Sequence, residues 1–172
     1  MKYGFIKVAS AIPAVKVGDV IFNTQQIEEQ IALAEGKGVE IITFPELSVT
    51  GYSCQDLFRQ QKLNESAEHA VMMLLDFTRK LDIISIVGAP VIAGVLLRNC
   101  GFVIQHGQIL GIVPKTYLPN YSEFYEKRWF ASAQDLRDCE VRYAGHKVHL
   151  TSEVQIFQTI DGVQIGVEIC VV

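Results

Sequence analysis

Residues 83–97 form a run of 15 positions without a charge. A membrane helix needs about 20 apolar residues, and this run is interrupted by Gly88, Pro90 and Gly94. Two buried β-strands placed back to back account for it better, because a strand with no polar face has to be covered on both sides. The chain is thereby committed to a layered fold, in which other elements pack on the faces of a sheet. Its 172 residues are enough for one domain that hides roughly 70% of its extended-chain surface.

Short apolar runs and amphipathic stretches alternate around that segment. Residues 2–11 predict a first strand. Asn23 is placed to cap a helix from about Thr24, with Ile27, Ile31 and Ala34 on one face and Gly36 and Gly38 at its end. The β-branched run 39–44 predicts a buried strand. Residues 60–81 predict a second helix, with Leu63, Ala67, Ala70, Val71, Leu74 and Leu81 stepping by three and four. Residues 82–90 predict another strand. Strand-like pieces follow at 91–97, 101–105 and 108–113, with tight turns at Arg98-Asn99 and His106-Gly107. A short helix is expected over 122–130. Runs 154–160 and 163–170 flank Asp161-Gly162, a strong two-residue hairpin pattern. Helices between early strands and hairpins between later ones predict a mixed α/β layer fold. With no repeat or linker, residues 1–172 read as one domain.

Composition narrows the function classes. Apolar residues make up 49% and charged residues 20%, which excludes a disordered chain. Fifteen basic against 19 acidic residues, a net charge of −4, argues against a nucleic-acid partner. Lys2 and Lys7 break any signal-peptide core, and the four cysteines form no CxxC pair. The expectation is a cytoplasmic protein with reduced thiols and no membrane partner. No metal site is expected: His146 and His149, three apart in a strand-like segment, point to opposite faces. Gly36-Lys37-Gly38 is not a phosphate loop.

Three side chains stand where strands end: Glu46 after Thr43-Phe44-Pro45, Lys115 after Gly111-Ile112-Val113-Pro114, and Cys170 at the end of the last run. Taken singly, the Glu and Lys read as surface residues and the Cys as core filler. Taken together they make a coherent set for attack on a carbonyl-type carbon. The thiolate is the nucleophile, the carboxylate moves its proton, and the ammonium supports thiolate and oxyanion.

The stretches TFPELSVTGY (43–52), PKTYLPNYSEFYEKRWF (114–130) and GVEIC (166–170) resemble the three catalytic blocks of the nitrilase superfamily of carbon-nitrogen hydrolases, in order and at family-like spacings of 69 and 55 residues. Within it, the segments 46–58 and 115–130 are most similar to the N-terminal glutaminase domain of glutamine-dependent NAD synthetases.

That resemblance implies an α-β-β-α sandwich and a catalytic triad of Glu46, Lys115 and Cys170, hydrolysing the side-chain amide of glutamine. It implies Glu126 as a supporting carboxylate, against a plain surface charge paired with Lys127 or Arg128, and Tyr52 and Tyr121 as substrate-holding residues. Cys54, Cys100 and Cys139 read as structural, and Trp129 as packing. In the family the domain continues past its nucleophile, and the NAD-synthetase branch has an acidic residue where this chain has Val171. The chain is therefore expected to be truncated after the nucleophile, weak or inactive alone, and self-associating into a homo-oligomer through uncovered sheet surface. No cofactor is expected in it; ATP and Mg2+ belong to the family's separate synthetase domain. The alternatives are a stand-alone amidase with another substrate and a non-catalytic assembly module.

Overall fold

A computed structural model describes residues 4–170; the start of the expected first strand and the Val171-Val172 pair lie outside them. Strand β1 (Val8–Ser10) leads to helix α1 (Val20–Gly36), strand β2 (Ile41–Thr43), helix α2 (Gln61–Thr78) and strand β3 (Ile84–Ala93). Then come β4 (Leu96–Gln105), β5 (Gln108–Pro114), β6 (Cys139–Tyr143), β7 (His146–Leu150), β8 (Ile156–Gln158) and β9 (Gln164–Gly166). The first seven strands form one sheet in the order β1-β2-β3-β4-β5-β7-β6, and β8 and β9 form a separate antiparallel pair. β1, β2 and β3 run parallel, with helices as crossovers, and β3, β4 and β5 are antiparallel.

The pleat divides the central strands between two layers. Val87, Ala89 and Val91 of β3 lie beside Phe102, Cys100 and Arg98 of β4. With Ile27, Ile31, Leu74 and Val71 from the two helices, the apolar members of this set join the main core. The alternate positions, Gly88, Gly101, Gly111 and Val113, face the other way. There the β8–β9 layer packs on the sheet, with Val167 and Ile169 against Gly101 and Phe157 against Gly111. Helices, large sheet and small sheet are thus three stacked layers, matching the α-β-β part of the expected sandwich.

Several local expectations are corrected. Helix α1 begins at Val20, not Thr24, and its cap is Asp19, whose carboxylate accepts the Phe22 N–H. Asn23 is buried inside the first turn, accepting the Lys16 N–H and donating to the Lys16 and Val49 carbonyls. It ties the helix start to the loop after β2 instead of capping. The uncharged run is indeed two strands, but they meet at Gly94-Val95, not at Pro90-Val91: β3 continues through Pro90, which pairs with Asn99, so the turn expected at Arg98-Asn99 lies inside β4 instead. Pro90 lies beyond the three-residue pairing with β2, so its missing N–H breaks no ladder on that side. Residues 122–130 hold only a 3-10 turn at Glu126–Arg128, because Ser122 is left-handed (φ 51°) and interrupts the helical path. Finally, β6 and β7 form a hairpin through Ala144-Gly145, both with positive φ, of which the sequence suggested only the strand near His146 and His149. The turn at His106-Gly107 lies where expected, while the one expected at Asp161-Gly162 is centred on Ile160-Asp161, the Gly162 N–H donating to the Thr159 carbonyl at 2.9 Å.

Gly88 governs how the loop after β2 sits on the sheet. A Cβ there would lie 2.3 Å from the Leu47 nitrogen and 3.1 Å from the Glu46 carbonyl carbon. Both are backbone atoms that cannot swing aside, and the Gly88 carbonyl itself accepts the Val49 N–H at 3.1 Å. Gly88→Ala is expected to cost about 1–3 kcal/mol of unfolding free energy in urea titration, as overpacking does, and to displace Glu46.

Candidate active site

Lys115 follows β5 directly, and its N–H donates to the Asn99 carbonyl at 2.8 Å. Its side chain is 1% exposed. A buried ammonium persists only where acceptors replace its water, and here there are two. Nζ donates to Glu46 Oε1 and to Glu126 Oε1, both at 2.7 Å. Burial alone would lower the lysine pKa, but the two carboxylate partners outweigh it and hold the group above its ordinary range.

Each carboxylate is delivered by a loop with a special backbone. Phe44 N–H bonds to the Ile86 carbonyl at 3.0 Å, then the chain leaves the sheet at Pro45. Leu47, fully buried, takes a left-handed φ of 52° and turns the loop so that Glu46 meets Lys115. Glu46 remains 20% exposed. The side-chain amide of Asn99 donates to the same Glu46 oxygen that Lys115 engages.

Glu126 is brought in by the 115–130 loop, where its N–H donates to the Pro119 carbonyl at 3.2 Å. It is buried, not a surface charge. Its Oε1 also accepts the Tyr52 hydroxyl at 2.7 Å, while Oε2 is buried with no hydrogen-bond partner. Burial pushes the Glu126 carboxyl above the usual range against the opposing effect of Lys115 and Tyr52. The Tyr52 hydroxyl is likewise pushed well up, by desolvation and by its bond to Glu126. Outside, Asp56 joins the Tyr52 and Glu126 segments: it accepts Arg128 Nε and Nη2, each at 2.8 Å, and Trp129 Nε1 at 2.9 Å. Arg128, then Trp129, hold its carboxyl below the ordinary range.

Cys170 is exposed, and its φ of 47° is left-handed, an uncommon state for a residue with a Cβ. It lines a cavity of about 130 Å³ together with Glu46 and Asn99. It also lines one of about 460 Å³ together with Lys115 and Thr151. So the structure links Glu46, Lys115, Glu126 and Tyr52 by direct hydrogen bonds and sets Cys170 on two cavities, one lined by Glu46 and the other by Lys115. Tyr121 is placed differently. Its ring meets Phe124 edge-on at 5.7 Å, as Tyr52 does at 6.5 Å, but it borders a separate surface cavity of about 650 Å³. Of the other thiols, Cys54 and Cys100 are buried and Cys139 is half-buried. Burial raises the pKa of the first two, as expected of inert structural cysteines.

Sequence reasoning missed Asn99, assigned to a turn, and the Asp56 clasp, of which Trp129 was read as packing. For Asn99 a pointer existed: an amide between the apolar runs 91–97 and 100–104 needs a partner once it is buried. A carboxylate with a free oxygen can take a proton, and an ammonium fixed beside it can support a developing negative oxygen. With a thiol at the rim, the arrangement can carry out acyl transfer.

Known proteins place this arrangement in a family. The carbon-nitrogen hydrolase family model matches residues 7–171. The glutamine-dependent NAD(+) synthetase of Mycobacterium bovis is 33% identical over 171 residues, which are 98% of this chain and 25% of that protein. The corresponding protein of Aquifex aeolicus is 40% identical over 132 residues, 77% of this chain and 23% of its own length. The chain thus spans about a quarter of the length of these relatives. Among solved structures, the glutamine-dependent NAD(+) synthetase from Cytophaga hutchinsonii superposes with a TM-score of 0.81 at 27% identity, covering 94% of this chain and 27% of the other. An amidase from Nesterenkonia sp. shares the fold, with a TM-score of 0.67 at 20% identity, over 85% of this chain and 54% of its own. A match across nearly the whole chain, on the layers and loops that carry Glu46 and Lys115, makes this chain a member of the carbon-nitrogen hydrolase family.

Proposed function

We propose that the chain hydrolyses the side-chain amide of glutamine through Glu46, Lys115 and Cys170. The observation that carries this reading is the buried Lys115 ammonium, held 2.7 Å from Glu46 Oε1 beside cavities that Cys170 also lines. Cys170 attacks the carboxamide carbon while Glu46 takes the thiol proton. Lys115 stabilises the tetrahedral oxyanion. Glu46 returns the proton to the departing nitrogen, so ammonia leaves and a glutamyl thioester remains. Water, deprotonated by Glu46, then releases glutamate and restores the thiol. Glu126 holds the second side of the Lys115 ammonium and is itself held by the Tyr52 hydroxyl. The names of the long relatives support glutamine as the substrate, and in such longer proteins the ammonia serves ATP-dependent amidation of deamido-NAD.

Incubation with glutamine should release ammonia in a coupled glutamate dehydrogenase assay, and Cys170→Ala should abolish the release. Equal release by both proteins would remove Cys170 from the chemistry. A preference for simple aliphatic or carbamoyl amides would point to a stand-alone amidase instead.

Lys115→Met should lower kcat by about 10²–10³-fold, the usual effect of losing an oxyanion donor. It also leaves two carboxylates facing each other without their cation, at a cost of roughly 3–5 kcal/mol. The raised pKa of Lys115 fixes the pH dependence. A lysine pKa raised by folding stabilises fully below the unfolded value of about 10.4 and is lost as pH climbs through the folded one. The stability difference between wild type and Lys115→Met, measured by denaturant titration, should therefore stay level from neutral pH to about pH 10.

A further inference from the structure

Glu46 Oε1 has two donors. One is Lys115 Nζ and the other is the side-chain amide of Asn99. Among the described residues, no hydrogen bond reaches Oε2. Asn99 is only 1% exposed, and its Oδ1 is buried with no hydrogen-bond partner. Its backbone carbonyl accepts the Lys115 N–H at 2.8 Å. A single residue of β4 therefore touches Glu46 through its side chain and Lys115 through its backbone. It does so on the cavity that Cys170 lines. Packing alone does not account for a buried amide that keeps one acceptor unsatisfied.

We propose that Asn99 is a positioning residue which, with Lys115, ties down Oε1 of Glu46 and leaves Oε2 as the atom that takes the thiol proton of Cys170. This rests on the hydrolase reading above and refines it to one oxygen atom. Two donors on one carboxylate oxygen fix the rotation of the carboxyl group. The free oxygen is then presented in a single direction, as a general base requires. Replacing the amide nitrogen by an oxygen, in Asn99→Asp, keeps the shape and sets an acceptor against an acceptor.

The test uses the full chain and iodoacetamide, a small haloamide that alkylates cysteine in one step. The carbon–sulfur bond forms, iodide leaves, and the thiol proton passes to Glu46. Alkylation of Cys170 is followed by peptide mass spectrometry, with half-buried Cys139 as internal reference and thermal unfolding recorded for each variant. Glu46→Gln should slow Cys170 by about 10²-fold. Asn99→Asp should slow it by roughly tenfold or more, and Asn99→Ala by less, with Cys139 unchanged in both. Under a packing role the order reverses, since Asp is the closer isostere of Asn, and that order would overturn the proposal. If Asn99→Asp does not fold, Asn99→Ala decides alone: a wild-type rate at Cys170 overturns it. Loss in Glu46→Gln without loss in either Asn99 variant rejects Asn99 and spares the hydrolase reading. A wild-type rate in Glu46→Gln rejects both.

Discussion

The arrangement of this molecule depends on one buried ammonium. Lys115 is almost inaccessible to water, and a charge in that position is tolerated only if fixed acceptors replace hydration. Its partners are far apart in sequence: Glu46 follows β2, and Glu126 sits in the loop that follows β5. Satisfying the ammonium therefore requires β5, the exit from β2 and the 115–130 loop to converge. Tyr52 and the Asp56 clasp to Arg128 and Trp129 hold the same loop from outside. The polar cluster is thus a structural junction before it is a chemical one.

That junction can form because the sheet is bare where other layers approach it. Gly88 lets the Glu46 loop lie against β3 at a distance that no side chain would permit. Gly111 leaves room for the Phe157 ring, and the Val167 and Ile169 side chains rest over Gly101 in ordinary contact, so the segment leading to Cys170 crosses the face opposite the helices. Three glycines on one face of three adjacent strands make a shallow floor, and the smaller cavity bordering Cys170 is lined by two of them, Gly88 and Gly101. The Glu46 loop and the β8–β9 layer thus both approach the sheet at positions that carry no side chain.

Much of this was legible in the residues. Helix α2 carries a clear 3.6-residue period, and its bounds differ from the expected ones by only a few residues at either end. Glu46 and Lys115 stand out because apolar runs stop there at chemically capable side chains; Cys170 was expected at a strand end too, but β9 stops at Gly166 and the chain runs on to it without strand pairing. What was not legible depended on partners distant in sequence. Asn23 has the composition of a cap, yet its side chain bonds Val49, 26 residues away. Asn99 reads as a turn residue by type, while its pairing with Pro90 and its amide bond to Glu46 keep it inside a strand. The aromatic-rich segment 122–130 has helical spacing, but a left-handed Ser122 and the inward pull on Glu126 leave a single 3-10 turn.

By itself, the sequence determined the layered α/β class, the order of the three chemical blocks and the identity of their reactive groups, since these follow from hydrophobic period and residue chemistry along the chain. Only the tertiary structure decided which oxygen of Glu46 is engaged, that Glu126 faces inward, and that Tyr52 serves the carboxylate while Tyr121 borders another cavity. Those outcomes depend on the competition among buried donors and acceptors for a limited set of partners, and that competition exists only once the strands and loops have met.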